Sequence, residues 1–334
     1  MSEFYSSFVS GFQGLVKQLM DGQKSVEVLK VGDGFIHYRT EKPLDGQFLL
    51  LNNTYEVWRS YSSVDPESII EEILQDRKLM KKMANFGRDH RDKKFRIIVA
   101  KENQYLKVKN EYLKELGWLV EDCTGWVFDP GSPNFEVCLL VRKEGLAIWA
   151  VRDLRGGMGV EKGELKADLA AGLCYLAELK DGDVFLDPFV GYGAIVAARM
   201  RFPVRGVVEC ADWDGKKVEV MKEKVRGWKQ KVIVRQMDAL KMNSMANESV
   251  DKIVTDPPWG LFEKMPISVD KFYAGMMKEM VRVLKKGGRM VVLTAQKEMM
   301  EKEIAKFAGI LVLRERLDIL VSGKKAGVFV VEKV

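Results

Sequence analysis

At 334 residues, 47% of them hydrophobic and 31% charged, the chain has the composition of a folded protein with room for two or three cores, and it carries no disorder signature. No apolar run approaches the roughly 20 residues needed to cross a bilayer, and the opening stretch MSEFYSSFVSGF lacks a basic region ahead of an apolar one; a cytoplasmic location with no membrane partner is expected. Four well-separated cysteines (Cys123, Cys138, Cys174, Cys210) and only two histidines offer neither zinc spacing nor a redox pair, so the cysteines are expected to be reduced and structural, and no metal is expected.

In chain order, the first half reads as α+β. A helix is predicted near Phe8 to Met20, strands at Val26 to Val31 and Phe35 to Tyr38 around Gly32-Asp33-Gly34, and a helix from Pro66 to about Met83. A strand at Phe95 to Ala100 follows, then a helix with Tyr105, Val108, Tyr112 and Leu116 on one side, then a hairpin of Phe135 to Val141 and Leu146 to Val151 around Glu144-Gly145. The glycine-rich Arg152 to Gly159 segment marks a domain boundary.

Beyond it the pattern changes. An amphipathic helix is predicted over Gly163 to Leu179, with Leu165, Leu169, Leu173 and Leu176 on one stripe. Short apolar runs at Val184 to Asp187, Val204 to Val208, Val232 to Arg235, Ile253 to Asp256 and Met290 to Thr294 then alternate with helical patterns such as Val269 to Leu284. Alternation of this kind predicts parallel strands with crossover helices, a doubly wound α/β sheet. The end differs, with strand-like runs Leu311 to Val321 and Ala326 to Val331 joined through Ser322-Gly323-Lys324-Lys325 as an antiparallel hairpin. A parallel sheet closed by a hairpin is the layout of class I methyltransferases.

Chemistry concentrates at the predicted carboxyl ends of these strands. In Asp187-Pro188-Phe189-Val190-Gly191-Tyr192-Gly193, two glycines let the backbone approach a ligand at a strand-to-helix turn. Glu209, after the next strand, is placed to accept hydrogen bonds from ribose hydroxyls, and Asp238 after the third to hold an adenine amino group. Acids at three successive strand ends argue for an adenosine-bearing cofactor. A nicotinamide cofactor is the rival, but the turn lacks the third glycine of G-x-G-x-x-G, since Ile195 and Val196 follow Gly193-Ala194.

The fourth strand ends in Thr255-Asp256-Pro257-Pro258-Trp259-Gly260. Asp187-Pro188-Phe189 with Gly191 and Gly193, followed by Asp256-Pro257-Pro258-Trp259, resembles the amino-methyltransferase branch of S-adenosylmethionine enzymes, whose [D/N/S]-P-P-[Y/F/W] motif marks transfer to an exocyclic base amine. Such an amine is a poor nucleophile because its lone pair is delocalised into the ring; a carboxylate and a backbone carbonyl accepting its two N–H bonds make the nitrogen tetrahedral and nucleophilic. The resemblance implies Asp256 as the first acceptor, also bordering the cofactor, the Pro257 carbonyl held by the Pro257-Pro258 pair as the second, and Trp259 as a ring that stacks on the base for roughly 1 to 3 kcal/mol.

Within that branch the chain is most similar to THUMP-domain tRNA guanine-N2 methyltransferases. Supporting residues are Gly163-Glu164-Leu165-Lys166 before the leading helix, the Thr255 to Gly260 corner and the Gly323-Lys324-Lys325 hairpin. The resemblance implies a ferredoxin-like piece over 1–65, a THUMP-like RNA-binding domain over 66–151, a linker at 152–162 and a Rossmann-like catalytic domain over 163–334. It also implies S-adenosyl-L-methionine as cofactor, tRNA as partner and room for a small activating protein. Departures from the family pattern are Tyr192 and Ala194 in the first motif, Gly157 to Lys162 in place of an Arg-Pro-rich linker, and Trp259 where Tyr is commoner; they bear on subfamily and target nucleotide.

Two basic runs fit a polyanionic partner. From Arg77 to Lys101 ten basic residues face two acidic ones, a local +8, and Lys216 to Arg235 carries a local +6. Lys81, Lys82, Arg88, Arg91, Lys93 and Lys94 are the expected RNA contacts. Two rival functions are an adenine-N6 methyltransferase acting on DNA or ribosomal RNA, and a non-catalytic RNA-binding protein on a degenerate methyltransferase fold.

Overall fold

The computed structural model describes residues 1–45, 48–154, 165–261, 265 and 267–334. They divide into two compact units, one of Met1–Ser7, Val16–Gly46 and Leu51–Gly159, the other of Phe8–Leu15, Gln47–Leu50 and Val160–Val334.

The N-terminal elements are β1 (Ser2–Ser7), α1 (Gln13–Asp21), β2 (Glu27–Gly32), β3 (Phe35–Thr40), β4 (Asn52–Tyr61), α2 (Pro66–Gln75), α3 (Arg77–Asp89), β5 (Lys94–Lys101), β6 (Gln104–Tyr105), α4 (Asn110–Thr124), β7 (Val127–Phe128), β8 (Phe135–Arg142) and β9 (Leu146–Asp153). They build one continuous sheet in the order β2-β3-β1-β4-β9-β8-β5-β6, with β7 beside β5. Segments 1–65 and 66–151, expected as separate pieces, are therefore joined in that sheet, where β4 pairs antiparallel with β9. The sequence pattern does not predict strands β1 and β4, since Ser2–Ser7 and Asn52–Tyr61 mix polar and apolar residues without clean alternation. The core on one face packs Ile69, Ile73, Leu79, Met83, Leu116 and Val120 of the helices against Phe95, Val137, Leu139 and Trp149 of the sheet.

Two helix expectations change. The helix predicted from Pro66 breaks at Asp76, whose backbone N–H closes α2 on Ile73 while its carboxylate accepts from the Lys78 and Leu79 N–H groups to start α3. Tyr105 belongs to β6 and is 80% exposed, not on the buried face of α4.

The C-terminal unit continues with α5 (Ala167–Leu176), β10 (Val184–Asp187), α6 (Ala194–Arg199), β11 (Val207–Asp212), α7 (Gly215–Val225), β12 (Val232–Gln236), β13 (Val250–Thr255), α8 (Val269–Val283), β14 (Leu284–Thr294), α9 (Lys297–Ala305), β15 (Leu311–Val321) and β16 (Lys324–Lys333). Its seven-stranded sheet runs β12-β11-β10-β13-β14-β16-β15, the first five strands parallel and the last two closing as an antiparallel hairpin across Ser322-Gly323. This is the doubly wound sheet with a terminal hairpin that the strand pattern predicts, and its strand order reverses direction beside β10, the place where such sheets open a crevice.

Residues 8–15, predicted as part of the N-terminal piece, belong to this second unit. Phe12 is fully buried, and a Cβ on Gly172 of α5 would come within 2.1 Å of its ring, so the absence of a side chain at Gly172 makes that packing possible. The predicted leading helix is observed from Ala167; Gly163 and Glu164, like Arg155 to Lys162 of the expected linker, lie outside the described residues. All four cysteines are free thiols, and burial pushes those of Cys174 and Cys210 up, which suits packing and not reactivity.

Candidate active site

The strands β10, β11 and β13 end together, and their ends line a cavity of about 770 Å³, within the ~300–1,000 Å³ typical of small-molecule sites. Its wall includes Asp187, Phe189, Gly191, Asp212, Asp256 and Trp259.

The first loop is shaped by backbone freedom. Gly191 and Gly193 both have positive φ, +53° and +88°, and a Cβ on Gly193 would stand 2.5 Å from the Met221 sulfur, so only glycine closes this turn onto α7. The Gly191 N–H donates to Asp212 Oδ2 at 3.0 Å, tying the loop to the end of β11. Gly193 and Pro188 shape the turn without lining the cavity, whereas Phe189 lines it and packs its ring 5.6 Å from that of Phe272.

Asp187 is 1% exposed. Its Oδ1 accepts from the Thr255 hydroxyl at 2.8 Å and the Phe189 N–H at 3.2 Å. Burial nonetheless dominates, with the Asp256 and Asp212 charges adding to it, and raises the Asp187 carboxyl to about 7.

Two of the expected cofactor contacts fall elsewhere. Glu209 sits inside β11, opposite Leu186, and its Oε2 accepts from Arg235 Nε at 2.9 Å; it does not line the cavity. The strand begins at Val207 and runs to Asp212, three residues beyond the predicted acid, so Asp212 is the carboxylate delivered to the crevice. The signal was present in Asp214-Gly215, since Asp214 caps α7 by accepting from the Lys216 N–H and thereby dates the end of the strand. Asp238 is exposed and makes a local turn, its Oδ1 accepting from the Leu240 N–H at 2.9 Å, and it too is outside the cavity wall.

The corner after β13 is held from both sides. Tyr273 donates its hydroxyl to the Pro258 carbonyl at 3.3 Å and shares a 2.6 Å hydrogen bond with Thr294. Gln296 Nε2 donates to the Trp259 carbonyl at 2.6 Å, and the Gln296 N–H is anchored on Thr294 Oγ1. With those two carbonyls engaged, the Pro257 carbonyl between Asp256 and Pro258 receives no hydrogen bond among the described residues. Asp256 Oδ1 accepts from the Trp259 indole N–H at 2.9 Å, and burial raises its carboxyl to about 7 against the lowering effect of that N–H.

The cavity therefore gathers three carboxylates, Asp187, Asp212 and Asp256, on one wall, with Lys217 and Lys324 also among its lining residues and the partly exposed aromatics Tyr192 and Trp213 beside them. A donor set of buried carboxylates suits a ligand that brings positive charge of its own. Among the described residues no group of His, Cys, Asp and Glu is arranged to hold a metal ion, and no helix is long and apolar enough to cross a membrane.

The expected RNA contacts belong to the N-terminal unit and differ among themselves. Lys82 Nζ donates to the Val57 carbonyl at 2.7 Å, and burial pushes its pKa down. Lys94 pairs with Asp129 at 2.8 Å, and Arg88 donates to Asn85. Lys81, Arg91 and Lys93 have no side-chain partner among the described residues, and Lys81 and Arg91 are exposed.

Residues 158–316 match the family model described as "UPF0020: RMKL-like, methyltransferase domain". Among curated proteins, the U6 snRNA (guanine-N(2))-methyltransferase THUMPD2 of Bos taurus is 27% identical over 178 residues, 52% of this chain and 34% of that protein. The tRNA (guanine(10)-N2)-dimethyltransferase of Methanocaldococcus jannaschii is 24% identical over 207 residues, 57% of this chain and 58% of that protein. The chain thus spans between a third and three fifths of the curated relatives it matches. Among solved structures, TrmN from Thermus thermophilus superposes with a TM-score of 0.77 at 20% identity, covering 100% of both chains, which establishes a shared fold. A sheet of this topology, a carboxylate-lined crevice at its switch point and the family match over 158–316 lead to one conclusion: the C-terminal unit is a methyltransferase domain, similar over residues 158–316 to the UPF0020, RMKL-like family, with S-adenosylmethionine as its cofactor.

Proposed function

We propose that this protein transfers a methyl group to the exocyclic N2 amine of a guanosine in tRNA. The observation that carries the reading is the Asp256 corner: a partly buried carboxylate with one oxygen held by Trp259, beside a Pro257 carbonyl that has no donor among the described residues, in the cavity that also holds Asp187 and Asp212. Bound S-adenosylmethionine supplies an electrophilic methyl on a sulfonium, and its positive charges match the three carboxylates. Asp187 and Asp212 would hold it, with Gly191 allowing close approach. Asp256 Oδ2 and the Pro257 carbonyl would each accept one N–H of the incoming amine, drawing the nitrogen toward a tetrahedral, nucleophilic form. With its pKa near 7, the Asp256 carboxylate is also a fit acceptor for the proton that the nitrogen loses on methylation. The face of Trp259 would carry the base, which leaves a paired stem by flipping.

Guanine N2 is favoured over adenine N6 because the two curated relatives act on different RNAs yet share the atom: each is described as a guanine-N2 methyltransferase. The N-terminal unit supplies the RNA-binding part of the reading, with a ferredoxin-like piece over 1–65 and a THUMP-like piece over 66–151 sharing one sheet, and with Lys81, Arg91 and Lys93 facing phosphates.

The test uses the full chain, unmodified tRNA and methyl-labelled cofactor, followed by nucleoside digestion and mass spectrometry. Label in N2-methylguanosine or N2,N2-dimethylguanosine is expected. Label in N6-methyladenosine, label only with a non-tRNA substrate such as U6 RNA, or none at all would overturn the proposal.

A further inference from the structure

The aromatic residue of the corner touches Asp256 through its edge. The indole N–H of Trp259 points at Asp256 Oδ1 from 2.9 Å, and no other side chain donates to that carboxylate among the described residues. The contact is not a loose surface pairing. The peptide on each side of the ring is fixed: Tyr273 holds the Pro258 carbonyl and Gln296 the Trp259 carbonyl, and both anchors converge on the fully buried Thr294 at the end of β14. Gly260, at φ +69°, turns the chain immediately afterwards, where a Cβ would stand 2.7 Å from Val269 Cγ2. The indole is thus carried on a corner with little freedom to withdraw its N–H.

A carboxylate in that cavity has two ways to fail as an acceptor: it can rotate its oxygens away from the amine, or it can take up a proton. We propose that Trp259 is a positioning residue, whose ring N–H fixes the orientation of the Asp256 carboxylate, directs Oδ2 to the methyl-accepting amine and keeps the group ionised. This rests on the reading of Asp256 as amine acceptor given above, and adds to it a role for the ring edge that stacking by the ring face does not require. The electrostatics agree, because burial raises the Asp256 carboxyl and the Trp259 N–H opposes the rise. A phenylalanine would keep the face and lose the edge; a histidine can return a ring N–H.

The decisive comparison is parent, Trp259→Phe and Trp259→His, each as the full chain, with folding and cofactor binding checked by thermal melt and calorimetry. Steady-state methylation of tRNA from pH 5.5 to 9 should show Trp259→Phe with kcat lowered about 10- to 100-fold at pH 7, the RNA KM within about twofold, and the acid limb of the kcat profile moved to higher pH. Trp259→His should recover part of kcat. Titration of the Asp256 carboxyl by 13C NMR, assigned through its loss in Asp256→Asn, gives a readout that does not depend on turnover, and Trp259→Phe should raise its midpoint. An unchanged midpoint and acid limb in Trp259→Phe, with the loss confined to KM, would overturn the inference and leave stacking alone. A parent enzyme that methylates no tRNA while the midpoint still moves would instead overturn the functional reading and leave the positioning contact standing.

Discussion

The carboxylate corner of the C-terminal unit and the basic segment of the N-terminal unit place charge in opposite ways. Around Asp256 the Trp259 indole and the Pro258 and Trp259 carbonyls all have assigned partners, and burial costs are tolerated to hold a few atoms in one arrangement. Along Arg77 to Lys101 several side chains are already committed inside their own unit, Lys82 to Val57, Lys94 to Asp129 and Arg96 to Glu136, whereas Lys81, Arg91 and Lys93 have no side-chain partner among the described residues. The difference teaches that residue type in a buried carboxylate corner is read by hydrogen-bond geometry, whereas a count of lysines overstates a binding surface until the internally spent ones are removed.

That contrast can be broken at its strongest point. Replacing Asp256 with Ala should lower the methylation rate by about a thousandfold or more while calorimetry shows cofactor binding within a few fold of the parent; loss of cofactor affinity in step with rate would move Asp256 from the amine to the cofactor. Next in size, Thr255→Val removes the hydroxyl on Asp187 Oδ1 and so raises a carboxyl already near 7. Affinity for the cationic cofactor at pH 7 should drop roughly tenfold and recover toward pH 9; a loss that is the same at every pH would point to packing.

The basic segment should respond more gently and more unevenly. Neutralising Lys81, Arg91 and Lys93 together should weaken tRNA affinity roughly tenfold near 0.1 M salt and flatten the salt dependence by about two to three counterions. Neutralising Lys82 or Lys94 should do much less. Equal effects per lysine, measured by filter binding across a salt series, would erase the distinction between spent and available cations.

The smallest effect concerns stability. Asp187 and Asp256 are raised to about 7 by burial, against an unfolded value near 3.9. A folded pKa above the unfolded one means the native state holds its protons more tightly. The stabilisation is full below about pH 4 and is lost as pH rises through 7. Asp256→Asn should therefore leave the melting temperature nearly unchanged at pH 4 and raise it by roughly a few degrees at pH 8. A drop at pH 8 would show that the Trp259 contact with the ionised group outweighs desolvation.

Much of the C-terminal fold is legible along the chain because the central parallel strands β10 and β13 are largely buried on both faces and show as short apolar runs between helices, as at Val184 to Asp187. The N-terminal sheet is less legible: β1 and β4 mix polar and apolar residues, and α2 and α3 form one continuous helical pattern interrupted only by the capping Asp76. In the site, Asp187, Gly191 and the Asp256 to Trp259 corner are recoverable from motif spacing. Asp212 is not, since it is chosen over Glu209 by where the strand stops and by the Arg235 side chain that occupies Glu209.

By itself the sequence determined the sheet type, the glycine turn and the stiff Asp-Pro-Pro-Trp corner, because these depend on local backbone sterics and on apolar periodicity within a few residues. The tertiary structure decided which acid enters the crevice, which lysines remain available, that Phe8–Leu15 packs with the C-terminal unit, and that Trp259 turns its edge to Asp256. Those outcomes depend on partners 21 to 160 positions away, such as Thr294 beneath Tyr273 and Phe12 against Gly172, whose approach only the folded chain brings about.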